Sequence, residues 1–528
     1  MDSQSDLVHR PLNTMDVLVN ALNQNFSRPL LHLLDGRTLT VGEVRDATSQ
    51  YVQALSRHGV VVGTRVALLS SNLPEVLHAS HAAQILGAIY IPLHPLGSQS
   101  DHLNTMRDAE VELLIFEGAR YDARAADLAR DLPDMKLLAL GKSTLAEDLC
   151  RVAVSMQPQP LRAPMLDPNG IERIAYSGGT TGKPKSMAAR RATVAAVMSI
   201  MLAEWEWPLP PRVLSCAPLS HAGGTMFVPT LLKNGTMLVH PGFEPLAVLR
   251  AIQESKINCM MLVPTMIYAL LDHPQFKEFD LTSLETIFYG ASLMSPVRLK
   301  EAIERIGPVF FQFYGQAEAP MTVTVLRKAE HDVNNLERLG GCGRPVPSLL
   351  VELLDSENRP VSDGHPGEIC VRGPIVMDGY RDNPELNAEV FSGGWLHTGD
   401  VAIRDADGFL RIVDRKKDMI ISGGFNIYPR DIEDALAFHP AVAQSAVIGV
   451  PHPKWGEAVK ALVVLKPGTV ASAEELIALV AERKGSFQAP KSVEFISAIP
   501  NTPVGKPDKK ALRARYGYLG TEQQHFVS

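Results

Sequence analysis

The segment Tyr176 to Lys185 (YSGGTTGKPK) concentrates the groups that hold a phosphate. Gly178, Gly179 and Gly182 let a backbone approach a ligand closely and take left-handed conformations. Successive amide N–H groups in such a turn form an anion-binding concavity. Ser177, Thr180 and Thr181 add hydroxyl donors, and Lys183 and Lys185 add positive charge. An apolar run, Ile171–Tyr176, leads into the segment as a strand would. The composition reads as a phosphate cradle, with a ligand-free Gly/Ser/Thr turn as the alternative. A P-loop is the weaker reading. It needs Gly five residues before the Gly-Lys pair and Ser or Thr after the Lys, where this chain has Ser177 and Pro184.

The order of these residues resembles the phosphate loop of the adenylate-forming superfamily, which includes acyl-CoA synthetases, carrier-protein adenylation domains and beetle luciferases. Further segments resemble that family in its own order as far as Lys506. In Phe313-Tyr314-Gly315-Gln316-Ala317-Glu318 the resemblance implies that Tyr314, with Gly315 beside it, stacks on adenine and that Glu318 holds Mg2+. A lone carboxylate beside phosphate oxygens suits that cation, which takes few protein ligands. The family usually has Thr where this chain has Ala317. Tyr289-Gly290-Ala291-Ser292 resembles the adenine wall, so Gly290, Ala291 and Ser292 are expected there. Trp395-Leu396-His397-Thr398-Gly399-Asp400 resembles the ribose-binding segment. Asp400 would accept the two ribose hydroxyls, and Arg415 would reach the same ribose or the phosphates.

Pro218-Leu219-Ser220-His221-Ala222-Gly223-Gly224 matches the place where the family lines its acyl site. His221 is expected to gate the carboxylate. Ala222, Gly223 and Gly224 would leave volume for a sizeable acyl group, with Phe227 on the wall. Pro500 to Lys506 (PNTPVGK) resembles the catalytic-lysine loop. Lys506 would offset the charge that builds up when a carboxylate attacks the α-phosphate. Lys506, Glu318, His221 and Thr181 are thus the expected catalytic set. The resemblance further implies a hinge at Lys417 and a narrow pantetheine passage at Gly423 and Gly424. The implied cofactors are ATP, Mg2+ and coenzyme A.

These groups need elements to hold them. Strand-like and helix-like segments alternate through the first 300 residues or so. Thr38–Gly59 reads as a helix from the three- and four-residue spacing of Val41, Val44, Tyr51 and Leu55. Arg65–Ser71, Ile89–Leu93, Val111–Phe116, Lys136–Leu140, Arg212–Ala217, Asn258–Val263, Thr286–Tyr289 and Val309–Tyr314 read as buried strands, and Pro74–Gly87 as a helix. Alternation of this kind implies α/β architecture with largely parallel, helix-covered sheets. Leu30–Thr40 reads as a hairpin around Asp35-Gly36. The charged run Asp414–Asp418 follows a turn at Asp405–Leu410. A smaller pattern then begins: helix Asp431–Phe438, strands Val442–Val450 and Val459–Leu465, helix Ala473–Lys484. The expected organisation is a large N-terminal domain (1–413), a hinge (414–417) and a small, mobile α+β C-terminal domain (418–528).

Composition sets the outer limits. The chain has 528 residues, 45% hydrophobic and 21% charged, ordinary for a globular protein. A net charge of −7 gives no reason to expect nucleic acid or an anionic membrane as partner. The five cysteines, Cys150, Cys216, Cys259, Cys342 and Cys370, are widely spaced without a CxxC, which argues against a disulfide framework or zinc site and for a reducing compartment. The polar start has no signal-peptide core, and the most apolar stretch, Cys259–Leu271, is too short to span a bilayer. A cytoplasmic enzyme with no integral membrane segment is expected. Its partner is a small-molecule carboxylic acid, and a homodimer stays open.

What the resemblance implies is an ATP-dependent acid:CoA ligase, most like a fatty-acid or aryl-acid ligase, because nothing like a carrier or condensation domain follows Lys506. The alternatives are a stand-alone enzyme loading a carrier protein and a catalytically weakened ligand-binding homologue.

Overall fold

The computed structural model describes residues 9–177, 185–415, 418–422, 425–453, 455–501 and 507–516. Two large sheets form its body. The first has seven strands, with Arg65–Leu69 flanked by Leu113–Glu117 and Ile89–Pro92. Its pairs are parallel except Ile171–Ser177 with Lys185–Arg190, which run antiparallel at one edge. The second has nine strands with a parallel centre in which Cys259–Leu262, Thr286–Tyr289 and Phe310–Gln316 lie side by side. Every residue of Cys259–Leu262 and Thr286–Tyr289 is buried, as expected of strands covered on both faces.

The helix expected from Thr38 begins later. Thr38–Thr40 is a strand paired with Pro29–His32, completing the expected hairpin. The helix runs over Val41–Arg57 because Thr40 caps it: its hydroxyl accepts the Glu43 N–H and the Glu43 carboxylate accepts the Thr40 N–H.

Residues 350–415 hold a third, four-stranded antiparallel sheet that the sequence pattern did not announce: Leu350–Leu354, Pro366–Arg372, Leu396–Arg404 and Leu410–Arg415. Its third strand carries Thr398-Gly399-Asp400, residues that local propensity assigns to a turn. A register irregularity in the pairing with Pro366–Arg372 accommodates them: Cys370 opposes His397 and Glu368 opposes Val401, which leaves the three residues between.

One hydrophobic core unites the three sheets. Leu68, Phe288, Phe311, Ile369 and Leu396, drawn from all of them, belong to one buried cluster. The C-terminal part has its own five-stranded sheet and separate clusters around Ile432, Val447 and Leu476 and around Ile448 and Leu512. Polar contacts join it to the rest. Arg411 pairs with Asp431 at 3.2 Å, and Arg430 donates to the Met294 carbonyl at 2.8 Å.

Candidate active site

Phe310–Gln316 and Ala319–Leu326 form a hairpin in which Gln316 opposes Ala319. Ala317 and Glu318 are therefore the two residues of its turn, at the end of a central strand. Open α/β sheets place ligand sites there. Phe311 and Phe313 anchor the strand in the core, stacked around Trp205.

Tyr314 extends from this strand to the third sheet. Its hydroxyl donates to Asp400 Oδ2 at 2.7 Å, and Gln316 Nε2 donates to the Thr398 carbonyl at 3.1 Å. Burial, and then the neighbouring carboxylate, hold the Tyr314 phenol well above its usual range. It therefore stays a donor. Asp400 is itself buried, and Arg415 lies opposite it in the strand register. The turn before Asp400 is fastened by Glu368, whose Oε1 accepts the Gly399 N–H at 2.8 Å. The other oxygen, Oε2, faces His397 Nδ1 at 3.0 Å, and Cys370 Sγ lies 3.4 Å from the same nitrogen. The result is a buried carboxylate on a hydrogen-bonded frame, suited to a diol.

Glu318 makes a second polar corner. Its Oε1 accepts the Tyr380 hydroxyl at 2.6 Å. The Tyr380 ring lies 5.2 Å from Lys185 Nζ, the last residue of the phosphate segment. Tyr176, at the segment's other end, donates to Asp108 at 2.7 Å. Gly290 ends its strand where a Cβ would meet the Phe313 carbonyl at 2.3 Å, so only glycine lets these two strand ends approach. Ala291, next to it, holds a left-handed φ of 66°, a conformation that costs roughly 1–2 kcal/mol outside glycine. Ser292 is half-buried beside it.

The acyl side has a different character. His221 precedes a short helical turn, Ala222–Met226, and its Nδ1 lies 2.8 Å from Ser220 Oγ. Its ring stands edge-on to His94 at 4.9 Å. Burial first, then Arg173 and His94, push the His221 imidazole down to about 3. It is neutral at any physiological pH. Two expectations change here. Gly223 and Gly224 do not open space for an acyl group: a Cβ on Gly223 would lie 2.4 Å from the Ala217 carbonyl, and one on Gly224 2.1 Å from that of Leu219. The loop's own backbone fills that room. Phe227 is fully buried and stacks on His81 at 5.1 Å, so it is core and not pocket wall.

The structure thus brings Tyr314, Asp400, Gly315, Glu318 and Lys185 to one side and His221 and Ala222 to another. The expectations at Gly178, Gly179, Thr180, Thr181, Gly182, Lys183, Lys417, Gly423, Gly424 and Lys506 fall outside the described residues. For Ser177 and Arg415 only the backbone is described. Sequence reading missed Tyr380 and Glu368, and it quoted His397 within the ribose-like segment without giving it a part. Only contacts across strands mark these residues.

Comparison with known proteins follows the same plan. Residues 19–381 match the AMP-binding enzyme family, and residues 431–506 match the AMP-binding enzyme C-terminal domain. A medium/long-chain-fatty-acid–CoA ligase of Mycobacterium tuberculosis is 48% identical, over 98% of this chain and 92% of its own. A feruloyl-CoA synthase of Amycolatopsis sp. is 37% identical, over 91% and 95%. The amide bond synthetase of Marinactinospora thermotolerans superimposes with a TM-score of 0.86 at 33% identity, over 95% of this chain and 100% of the other. With both matches in the same order as the two parts of the fold, this chain belongs to the AMP-binding enzyme family.

Proposed function

We propose that the chain is an ATP-dependent carboxylic acid:CoA ligase acting on aliphatic acids of medium or long chain. The observation that carries this reading is the polar corner of Tyr314 and Asp400, joined across two sheets at a strand end. The 48% identity to a ligase of that substrate class supports the choice of acid.

In the first step a carboxylate oxygen attacks the α-phosphorus of ATP and pyrophosphate leaves, giving an acyl-adenylate. Asp400 holds the ribose diol, and the Tyr314 ring lies against adenine. Glu318 fits Mg2+: one oxygen is held by Tyr380, and the other has no partner among the described residues. A hard cation with phosphate and water ligands accepts such a donor. When bound, the cation supplies charge neutralisation at the phosphates. His221 is a neutral polar group beside the acid and draws no carboxylate by charge. Lys506 supplies the ammonium that offsets charge between the two reacting anions. In the second step a CoA thiolate attacks the acyl carbon and AMP leaves.

We read residues 414–417 as the boundary between the large domain, 1–413, and the small one, 418–528. The separate cores of the two parts support this. Lys417 as hinge would let one site serve both steps. The described cysteines are all free thiols, which supports a cytoplasmic setting. Among the described residues no helix is long and apolar enough to cross a membrane.

The test is a panel of acids, saturated chains beside aryl acids such as ferulate, scored for CoA-dependent AMP release. Preference for aryl acids would overturn the aliphatic assignment. AMP release that needs an amine in place of CoA would favour the chemistry named for the amide bond synthetase. Lys506→Ala is expected to lower acyl-adenylate formation by about 100- to 1,000-fold and to spare thioester formation from supplied acyl-adenylate. Equal loss of both steps would remove Lys506 from its role.

A further inference from the structure

Tyr380 lies outside every segment that drew attention in the sequence, yet it touches two of the groups assigned to the phosphates. Its hydroxyl donates to Glu318 Oε1 at 2.6 Å, and its ring faces Lys185 Nζ at 5.2 Å. The side chain is 8% exposed, so neither contact is a surface accident. Its backbone is fixed as firmly. Asn387 uses both ends of its amide on it: Oδ1 accepts the Tyr380 N–H at 2.7 Å, and Nδ2 donates to the Tyr380 carbonyl at 2.8 Å.

The residues on either side continue the connection. Met377 N–H donates to the Glu318 carbonyl at 2.8 Å, clamping the hairpin turn. Tyr380 forms a bridge with Met187, and Arg381 N–H donates to the Ser186 carbonyl at 2.9 Å, both on the strand that leaves the phosphate segment. Arg381 Nη1 lies 3.9 Å from Asp108, the carboxylate that also accepts the Tyr176 hydroxyl. Residues 377–381 therefore fasten both flanks of the phosphate segment to the carboxylate-bearing turn.

A carboxylate with two open oxygens rotates, and can chelate a cation with both or with neither. A hydroxyl donating to Oε1 stops that rotation and leaves Oε2 as the single site for a hard cation, which prefers one carboxylate oxygen among phosphate and water ligands. We infer that Tyr380 is a positioning residue for Mg·ATP: it fixes the Glu318 carboxylate so that one oxygen meets the nucleotide's cation, and holds Lys185 in register with it. This deepens the reading of Glu318 as the Mg2+ carboxylate and rests on it.

The test measures ATP binding to the whole enzyme by calorimetry, without acid or CoA, in Mg2+ and again in EDTA. Tyr380→Phe keeps the ring and deletes the hydroxyl. It is expected to weaken binding in Mg2+ about 10-fold, the effect of one charge-assisted hydrogen bond, and to leave binding in EDTA unchanged. Equal weakening in both media, or none in either, would overturn the proposal. Glu318→Gln is measured beside it. If Glu318→Gln keeps the full gain from Mg2+, the Glu318 reading fails first and takes this one with it. If Glu318→Gln loses that gain while Tyr380→Phe keeps it, Tyr380 alone is misassigned. In the double variant Tyr380→Phe should add nothing to Glu318→Gln, because its hydroxyl acts through that carboxylate. An additive second loss would count against the proposal.

Discussion

The proposed nucleotide side and the proposed acyl side of this enzyme are built on opposite principles. Around Tyr314, Asp400 and Glu318, polar groups are partly or fully buried and already hydrogen-bonded to one another. Around His221, burial strips a histidine of its charge and sets it among rings and backbone. The difference follows the ligands. A nucleotide presents the same hydroxyls and charges every time, so a fixed polar frame costs no reorganisation on binding. An acyl chain offers apolar area and no fixed partner, so a neutral wall serves better.

The comparison breaks most visibly at Asp400. Asp400→Ala removes the proposed ribose acceptor and leaves the Tyr314 hydroxyl without that carboxylate. The expected result is a rise of about 100-fold in KM for ATP, from two lost charge-assisted hydrogen bonds, with KM for the acid little changed. Steady-state kinetics with each substrate varied in turn would measure it. A parallel rise in both KM values would show that the two walls are not independent.

His221→Ala probes the other wall. A change of pocket shape by a few heavy atoms is worth about 10-fold in discrimination between acids. The expected signature is altered acid preference with KM for ATP unchanged, read from competition between a fatty and an aryl acid. Because His221 stays neutral down to about pH 3, wild type and His221→Gln should share the same pH profile between pH 5 and 8. A limb present only in the wild type would show that the imidazole titrates there.

Ala317→Thr sharpens the nucleotide side. It restores a hydroxyl at the exposed position beside Glu318. One neutral hydrogen bond is worth about 1 kcal/mol, so a gain of about 5-fold in kcat/KM for ATP is expected. No change would mean that the site is complete without it.

A separate effect concerns stability. Burial pushes His78 and His331 down to about 4 and His81 down to about 3. Each has a folded value below its ordinary one near 6.5. The unfolded chain therefore takes up protons first as pH falls. The stability these groups contribute is complete above about pH 6.5 and is lost progressively toward pH 3–4, by about 1.4 kcal/mol per pH unit for each group. Thermal melting between pH 7 and 5 should show the fall, and His81→Gln should flatten it by one proton's share.

Most of the parallel architecture was legible in the sequence, because strands buried on both faces read as short apolar runs. The strands Lys136–Leu140 and Thr286–Tyr289 form over the residues their patterns indicated, and so does the helix Ala473–Lys484. The sheet at 350–415 was not legible. Leu396–Arg404 carries Thr398-Gly399-Asp400 through its middle, and turn chemistry masks a strand there. Gly223 and Gly224 were legible as glycines but not in their purpose, since the carbonyls they avoid come from Ala217 and Leu219 in the preceding loop.

The sequence by itself determined the chemistry on offer: a Gly/Ser/Thr/Lys segment without P-loop spacing, a carboxylate at 318, another at 400, a lysine at 506. These are matters of residue type and order, and local composition carries them. Tertiary structure decided which of them meet. Tyr314 and Asp400 are 86 residues apart, and Glu318 and Tyr380 are 62. No periodicity links such pairs. They come together only because three sheets share one core, and the burial that core imposes also makes His221 neutral.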